Sequence, residues 1–169
     1  MTGQPAGFAS AVRRMHPCKE EERFVMQVRH ILQEKGRQVV AVAESATMAE
    51  AAKMLAEKRI GVVLVNSKGA SLAGILSERD VVRAVAADGA QALGCPVSSY
   101  MTRSVATCRE ADTVEDLMEM MTNGRFRHVP VMDGDQRLCG LISIGDVVKS
   151  RIAETLNEAN SLRDYISAA

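Results

Sequence analysis

Tryptophan is absent from this chain, and two tyrosines and three phenylalanines bring the aromatic content to only 3%. A core built mainly on aromatic rings is therefore excluded. Hydrophobic residues still make up 47% of the 169 positions. That suffices for one compact domain, or two small units sharing a core, packed from Val, Leu, Ile, Ala and Met. Cysteine is sparse: Cys18, Cys95, Cys108 and Cys139 form no C-x-x-C pair and match no zinc spacing. Free thiols in a reducing compartment are the expectation. An excess of either charge is missing too, since 21 basic residues balance 21 acidic ones. This argues against a nucleic-acid partner, which favours a basic face. Long apolar runs are lacking: 39–43 and 60–65 are too short to span a bilayer. Arg13 and Arg14 precede a polar stretch, not the apolar segment of a secretory signal. A cytoplasmic protein with no membrane partner is expected.

Signatures of catalysis are also missing. There is no Walker loop, nucleophile elbow, H-E-x-x-H or G-x-G-x-x-G. His16, His30 and His128 lie in unrelated contexts, and His16-Pro17-Cys18 alone makes a poor metal site. The expectation is a non-enzyme that requires no metal.

What the chain has is an internal repeat. Residues 47–83 align with 113–149 at an offset of 66 without a gap, and 11 of 37 positions are identical. Average composition would give about two by chance. A repeat of this length is one supersecondary unit used twice. In each copy the order reads as β-α-β-β-α, with strands at 39–42, 60–65 and 72–76, and at 105–108, 128–132 and 138–143. Thr47 with Glu50 predicts a capping box. Ala51, Ala52, Leu55 and Ala56 are expected to be buried in the first helix, and Val81, Val82 and Val85 in the second. Asp133-Gly134-Asp135 reads as a hairpin turn, and Met118, Met120 and Met121 as adaptable core or dimer surface. A helix from 20 to 35, stopped by Gly36, precedes the repeats, and a long helix from Asp146 carries Val148, Ile152, Leu156, Ala159 and Ile166 toward the C-terminus. The expected boundaries are an arm and helix at 1–35, repeats at 36–93 and 94–155, and a helical extension at 156–169.

Both copies end their last strand in G-h-h-S-x-x-D: Gly74, Ser77 and Asp80 in the first, Gly140, Ser143 and Asp146 in the second. A helix start exposes unpaired N–H groups that favour an anion, so it can hold a phosphate. The serine hydroxyl can donate to the same group, the aspartate can accept from a pair of sugar hydroxyls, and the apolar residues before the serine can flank a flat base. Helix capping explains the same Ser and Asp without a ligand, and both readings stand at this point.

The repeat, the two G-h-h-S-x-x-D ends and Met101-Thr102 resemble cystathionine-β-synthase-type (CBS) domains, whose tandem pair is called a Bateman module. The resemblance covers residues 36 to 154. It implies an α/β (α+β) fold of two β-α-β-β-α repeats related by pseudo-twofold symmetry, with sheets packed together and flanking N- and C-terminal helices. It further implies two clefts for adenosine-containing ligands: AMP first, with ADP, ATP, NAD(H) or S-adenosylmethionine as alternatives. Asp80 and Asp146 would hold ribose, and Ser77, Arg79, Arg127, His128 and Ser143 phosphate. Ile75, Thr102, Val105 and Ala106 would line the base in one cleft, and Leu141, Val40 and Ile60 in the other. A homodimer forming a four-domain disc and an effector protein of unknown identity are the implied partners.

The two clefts are not equivalent in sequence. Arg127-His128 align with Gly61-Val62, Arg79 aligns with Gly145, and Met101-Thr102 align with Lys35-Gly36. The expected function is a stand-alone nucleotide-sensing regulatory module. A ligand-free assembly scaffold is the alternative, followed by a nucleic-acid-linked regulator that would use Arg125, Arg127 and the Arg13-Arg14 arm.

Overall fold

The computed structural model describes residues 25–67 and 71–167. Helix α1 (Val28–Lys35) leads into β1 (Ala41–Ala43), α2 (Met48–Lys58), β2 (Val62–Asn66), β3 (Leu72–Ser77) and α3 (Glu78–Asp88). Two short 3-10 helices, Gly89–Gly94 and Val97–Ser99, join this unit to β4 (Cys108–Arg109), α4 (Val114–Gly124), β5 (His128–Met132), β6 (Leu138–Ser143) and α5 (Ile144–Ser167). Each unit is a three-stranded sheet, in order β1-β2-β3 and β4-β5-β6. The first pair in each is parallel and the second antiparallel. The mixed α/β fold of two repeated units is the one expected. The repeat extends to fine detail: both hairpins carry an irregularity, after Val65 and after Val131. Arg59 and Arg125 both end their helices in the left-handed conformation, with φ of +52° and +54°.

Helix starts repeat as well. Thr47, Ser77 and Thr113 each exchange hydrogen bonds with an acidic residue three positions on, and Ser143 does the same with Asp146. Each box satisfies N–H groups that the first turn leaves unpaired.

Each unit's core is completed by the segment that precedes the other unit. Val28, Ile31 and Leu32 of α1 pack with Val114, Leu117, Val129, Val131 and Ile142 of the second unit. Ala92, Val97 and Met101 of the linker pack with Met48, Leu55, Val63, Val65 and Leu76 of the first. Matching backbone bonds hold the exchange: Val28 N–H to Asp112 O and Val114 N–H to Met26 O in one, Met48 N–H to Cys95 O and Val97 N–H to Ala46 O in the other. The leading segments thus bind the two units into one body through buried aliphatic surface.

Several boundaries differ from the sequence expectations. The first strand of the second unit shrinks from 105–108 to Cys108–Arg109. Its central neighbour β5 contains Pro130, which has no N–H to donate. The aligned Leu64 N–H donates to the Val40 carbonyl at 2.9 Å, so copy one can hold its leading segment where copy two cannot. Strand β1 likewise forms at Ala41–Ala43 rather than 39–42. In α3 only Ala84 is fully buried, whereas Val82 and Val85 are exposed, because the face toward the core runs through Val81 and Ala84. Ala56 is exposed for the same reason of helical phase, and Met48 is buried in its place. Gly36 ends α1 as expected, with φ of +89°. The helix expected from 20 begins only at Val28: Gln27 is extended and bridges Thr113, and 25–26 are not helical. Residues 20–24 and the arm before them lie outside the described residues.

Candidate functional site

Strand β6 carries Ser143 to the edge of a cavity of about 320 Å³, and Asp146, on the first turn of α5, bonds to Ser143. From the second unit Leu141, Ser143 and His128 line it; from the first unit come Val40, Ile60 and Gly61. Lys35, at the end of α1, and Arg59, at the end of α2, add two cations. The cavity therefore lies between the units, with apolar side chains from both and basic groups around them.

The Asp146 carboxylate is engaged on one oxygen. Ser143 N–H and Oγ–H donate to Oδ2 at 2.8 and 2.7 Å, and Asp146 N–H donates back to Ser143 Oγ at 3.3 Å. The Lys35 ammonium pairs with the same Oδ2 at 2.5 Å. Among the described residues no hydrogen bond reaches Oδ1, which stays available as an acceptor. Partial burial works to raise the Asp146 pKa, but the bonds from Lys35 and Ser143 outweigh it and hold the carboxyl below its usual range. His128 is half-buried at the start of β5. Burial first, then the positive charges of Arg127 and Lys35, push its pKa below the ordinary histidine value. Its ring packs over Gly61: a Cβ there would stand 3.4 Å from His128 Cε1, at ordinary contact distance.

The Asp80 cleft shares the motif but not the surroundings. Ser77 N–H and Oγ–H donate to Asp80 Oδ2 at 2.8 and 2.6 Å. Among the described residues Asp80 pairs with no cation. Here the segment before the strand closes onto the motif. Ile75 and Thr102 exchange two backbone hydrogen bonds, of 3.0 and 2.9 Å. Gly74 permits this approach, since a Cβ there would lie 2.7 Å from the Thr102 carbonyl oxygen and 2.8 Å from Met101 Sδ. Arg79 is exposed on the first turn of α3; Val105 is half-buried and Ala106 exposed beyond the bridge.

The structure thus brings Val40, Ile60, His128, Leu141 and Ser143 to one cavity, with Asp146 joined to it through Lys35 and Ser143. It brings Ile75 and Thr102 together at the other motif. Arg127 does not line the cavity; its side chain is exposed, and its carbonyl accepts from Ile144 N–H at 2.8 Å. Lys35 and Arg59 are additions that the sequence reading did not assign. The repeat alignment held the clue to Lys35, which stands opposite Met101, a residue already placed beside the first cleft.

Chemically, the arrangement offers an acceptor for sugar hydroxyls, apolar walls for a flat ring, and hydroxyl, imidazole and ammonium groups for an anion. Among the described residues no group of three or more His, Cys, Asp or Glu could hold a metal. No described helix is long and apolar enough to cross a membrane. Cys95, Cys108 and Cys139 are free thiols, and burial pushes the Cys108 pKa up to about 12. A shallow depression of about 380 Å³ on the outer face of α4 and α5 carries none of the motif residues.

Comparison with known proteins fits this geometry. The family model described as CBS domain matches residues 28–87 and 97–153. Among solved structures, the CBS-domain containing protein ATU1752 from Agrobacterium tumefaciens is 46% identical with a TM-score of 0.73, over 77% of this chain and 96% of that one. The CBS domain protein PAE2072 from Pyrobaculum aerophilum, solved as a complex with AMP, is 30% identical with a TM-score of 0.64, over 72% and 89%. An uncharacterized 17.7 kDa protein of Acidianus ambivalens is 34% identical over 112 residues, which span 66% of either chain.

Proposed function

The chain belongs to the CBS-domain family, and from that premise we propose that it is a regulatory module that binds an adenine nucleotide, AMP foremost, between its two units. The observation that carries this reading is the cavity of about 320 Å³ built by both repeats around Ser143, His128 and Leu141. Its size falls in the small-molecule range, roughly 300–1,000 Å³. Asp146 takes the two ribose hydroxyls, one on its free Oδ1 and one on the Oδ2 that Lys35 holds. Ser143 and His128 take the phosphate, and Val40, Ile60 and Leu141 flank the base. Asp80, Ser77, Arg79 and Ile75, with Thr102, Val105 and Ala106, form the second cleft. ADP, ATP, NAD(H) and S-adenosylmethionine contain the same adenosine and compete for the same contacts. The AMP complex of the Pyrobaculum relative supports an adenosine ligand.

No catalytic step is assigned to these residues. The output is a change in the angle between the units, which requires that ligand bind one arrangement more tightly than another. Helices α1 and α5 carry that change outward. Val148, Ile152, Leu156 and Ile166 leave an apolar stripe exposed on α5, the surface by which two copies form a homodimer and reach an effector. One observation favours a second reading, a ligand-free scaffold: both Asp-Ser pairs already satisfy each other as helix caps.

A thermal-shift panel of AMP, ADP, ATP, NAD⁺, NADH and S-adenosylmethionine separates the two. A ligand bound only to the folded state raises the melting point by mass action. A shift with at least one compound is expected; no shift at millimolar concentration favours the scaffold.

A further inference from the structure

Lys35 ends α1, where a cation is already favoured by the helix dipole. Its side chain does more than cap that helix. It reaches Asp146, 111 positions along the chain, and the pair keeps only 33% and 24% of its side-chain surface exposed. Lys35, Arg59 and His128 come from three different elements and line one cavity. The carboxylate oxygen that Lys35 holds belongs to the group that faces a ribose in the nucleotide reading, on which this inference rests. The residue aligned with Lys35 in the other cleft is Met101, which is buried and apolar.

We propose that Lys35 sorts ligands at the Asp146 cleft by exchanging counter-ions. Sugar hydroxyls arriving at Asp146 compete with the ammonium for the carboxylate. An ammonium whose side chain keeps only a third of its surface exposed, and which loses its partner, carries a desolvation penalty unless another anion replaces it. A phosphate on the 5′ carbon, within a side-chain swing of Lys35, is that anion, and charge-assisted contacts repay the exchange. A neutral 5′ group leaves Lys35 unpaired, and a cationic sulfonium adds repulsion. The Asp146 cleft therefore selects for a 5′ anion by this exchange, whereas Met101 gives the Asp80 cleft no counter-ion to exchange.

The test is isothermal titration of AMP and of adenosine, which differ only in the phosphate. The full chain carries Asp80→Asn to silence the other cleft, with the unaltered chain titrated in parallel. Lys35→Met removes the charge and Lys35→Arg keeps it, and melting curves verify that each variant folds. The exchange predicts that Lys35→Met weakens AMP about tenfold while adenosine binds as well or better, so that the preference for AMP collapses. Lys35→Arg retains the preference. An unchanged preference in Lys35→Met, an equal loss of both ligands, or tighter AMP binding each overturns the exchange while leaving the nucleotide site in place. If the unaltered chain binds neither ligand, the nucleotide reading itself fails, and this inference with it.

Discussion

The Asp146 and Asp80 clefts are built from one motif at an offset of 66 residues, yet they face different neighbours. At Asp80 the preceding segment is bound to the motif by the Ile75–Thr102 backbone pair, with Met101 packed on Gly74. At Asp146 the equivalent place beside Gly140 is filled by Leu32 of α1, and Lys35 reaches the carboxylate. The histidine at the start of β5 has a valine as its counterpart in β2. A duplicated motif thus supplies two similar helix caps, while the chain that precedes each repeat decides what each cleft can hold. The difference arises in α1 and the linker, outside the motif.

The largest expected effect comes from the two motif glycines. A Cβ on Gly74 meets a backbone oxygen at 2.7 Å, which cannot rotate away. A Cβ on Gly140 meets Leu32 Cδ2 at 2.6 Å, the end of a side chain that can shift, though it is fully buried. Gly74→Ala should therefore destabilise by about 1–3 kcal/mol, and Gly140→Ala by less. Urea denaturation of both measures the order. Equal losses would mean that the Ile75–Thr102 bridge is no firmer than the α1 contact.

A smaller effect concerns pH. The folded pKa of His128 lies below its ordinary value, so the folded protein favours the neutral ring. Its contribution to stability is fully present above the unfolded value of about 6.5. It is lost as pH falls through the folded value, because the unfolded state then binds more protons. Asp146 acts by the same rule further down: its lowered pKa stabilises the fold above about 3.9 and loses that effect as pH falls below. Melting points from pH 7.5 to 5 should fall less in His128→Gln than in the unaltered chain. Parallel curves would remove His128 from the account of the cleft.

Much of this was legible before the structure. The 66-residue offset, the order of elements and the Thr47–Glu50 box all follow from local rules of periodicity and capping, which short sequence windows contain. Helical phase was read less well in α3, where a run of valines does not say which of Val81, Val82 and Val85 faces the sheet. The shortened β4 depends on Pro130 sitting in the neighbouring strand, a cross-strand effect that the run at 105–108 does not contain. The Lys35–Asp146 pair joins residues 111 positions apart. No local signal reports such a pair; only the alignment of Lys35 with Met101 pointed toward it.

The central claim is that the clefts are unequal and that the Asp146 cleft takes the nucleotide. Calorimetric titration of AMP into the unaltered chain, Asp146→Ala and Asp80→Ala tests it most directly. The account predicts that Asp146→Ala removes the tightest binding event while Asp80→Ala leaves it in place. Equal loss in the two variants, or loss only with Asp80→Ala, would contradict it.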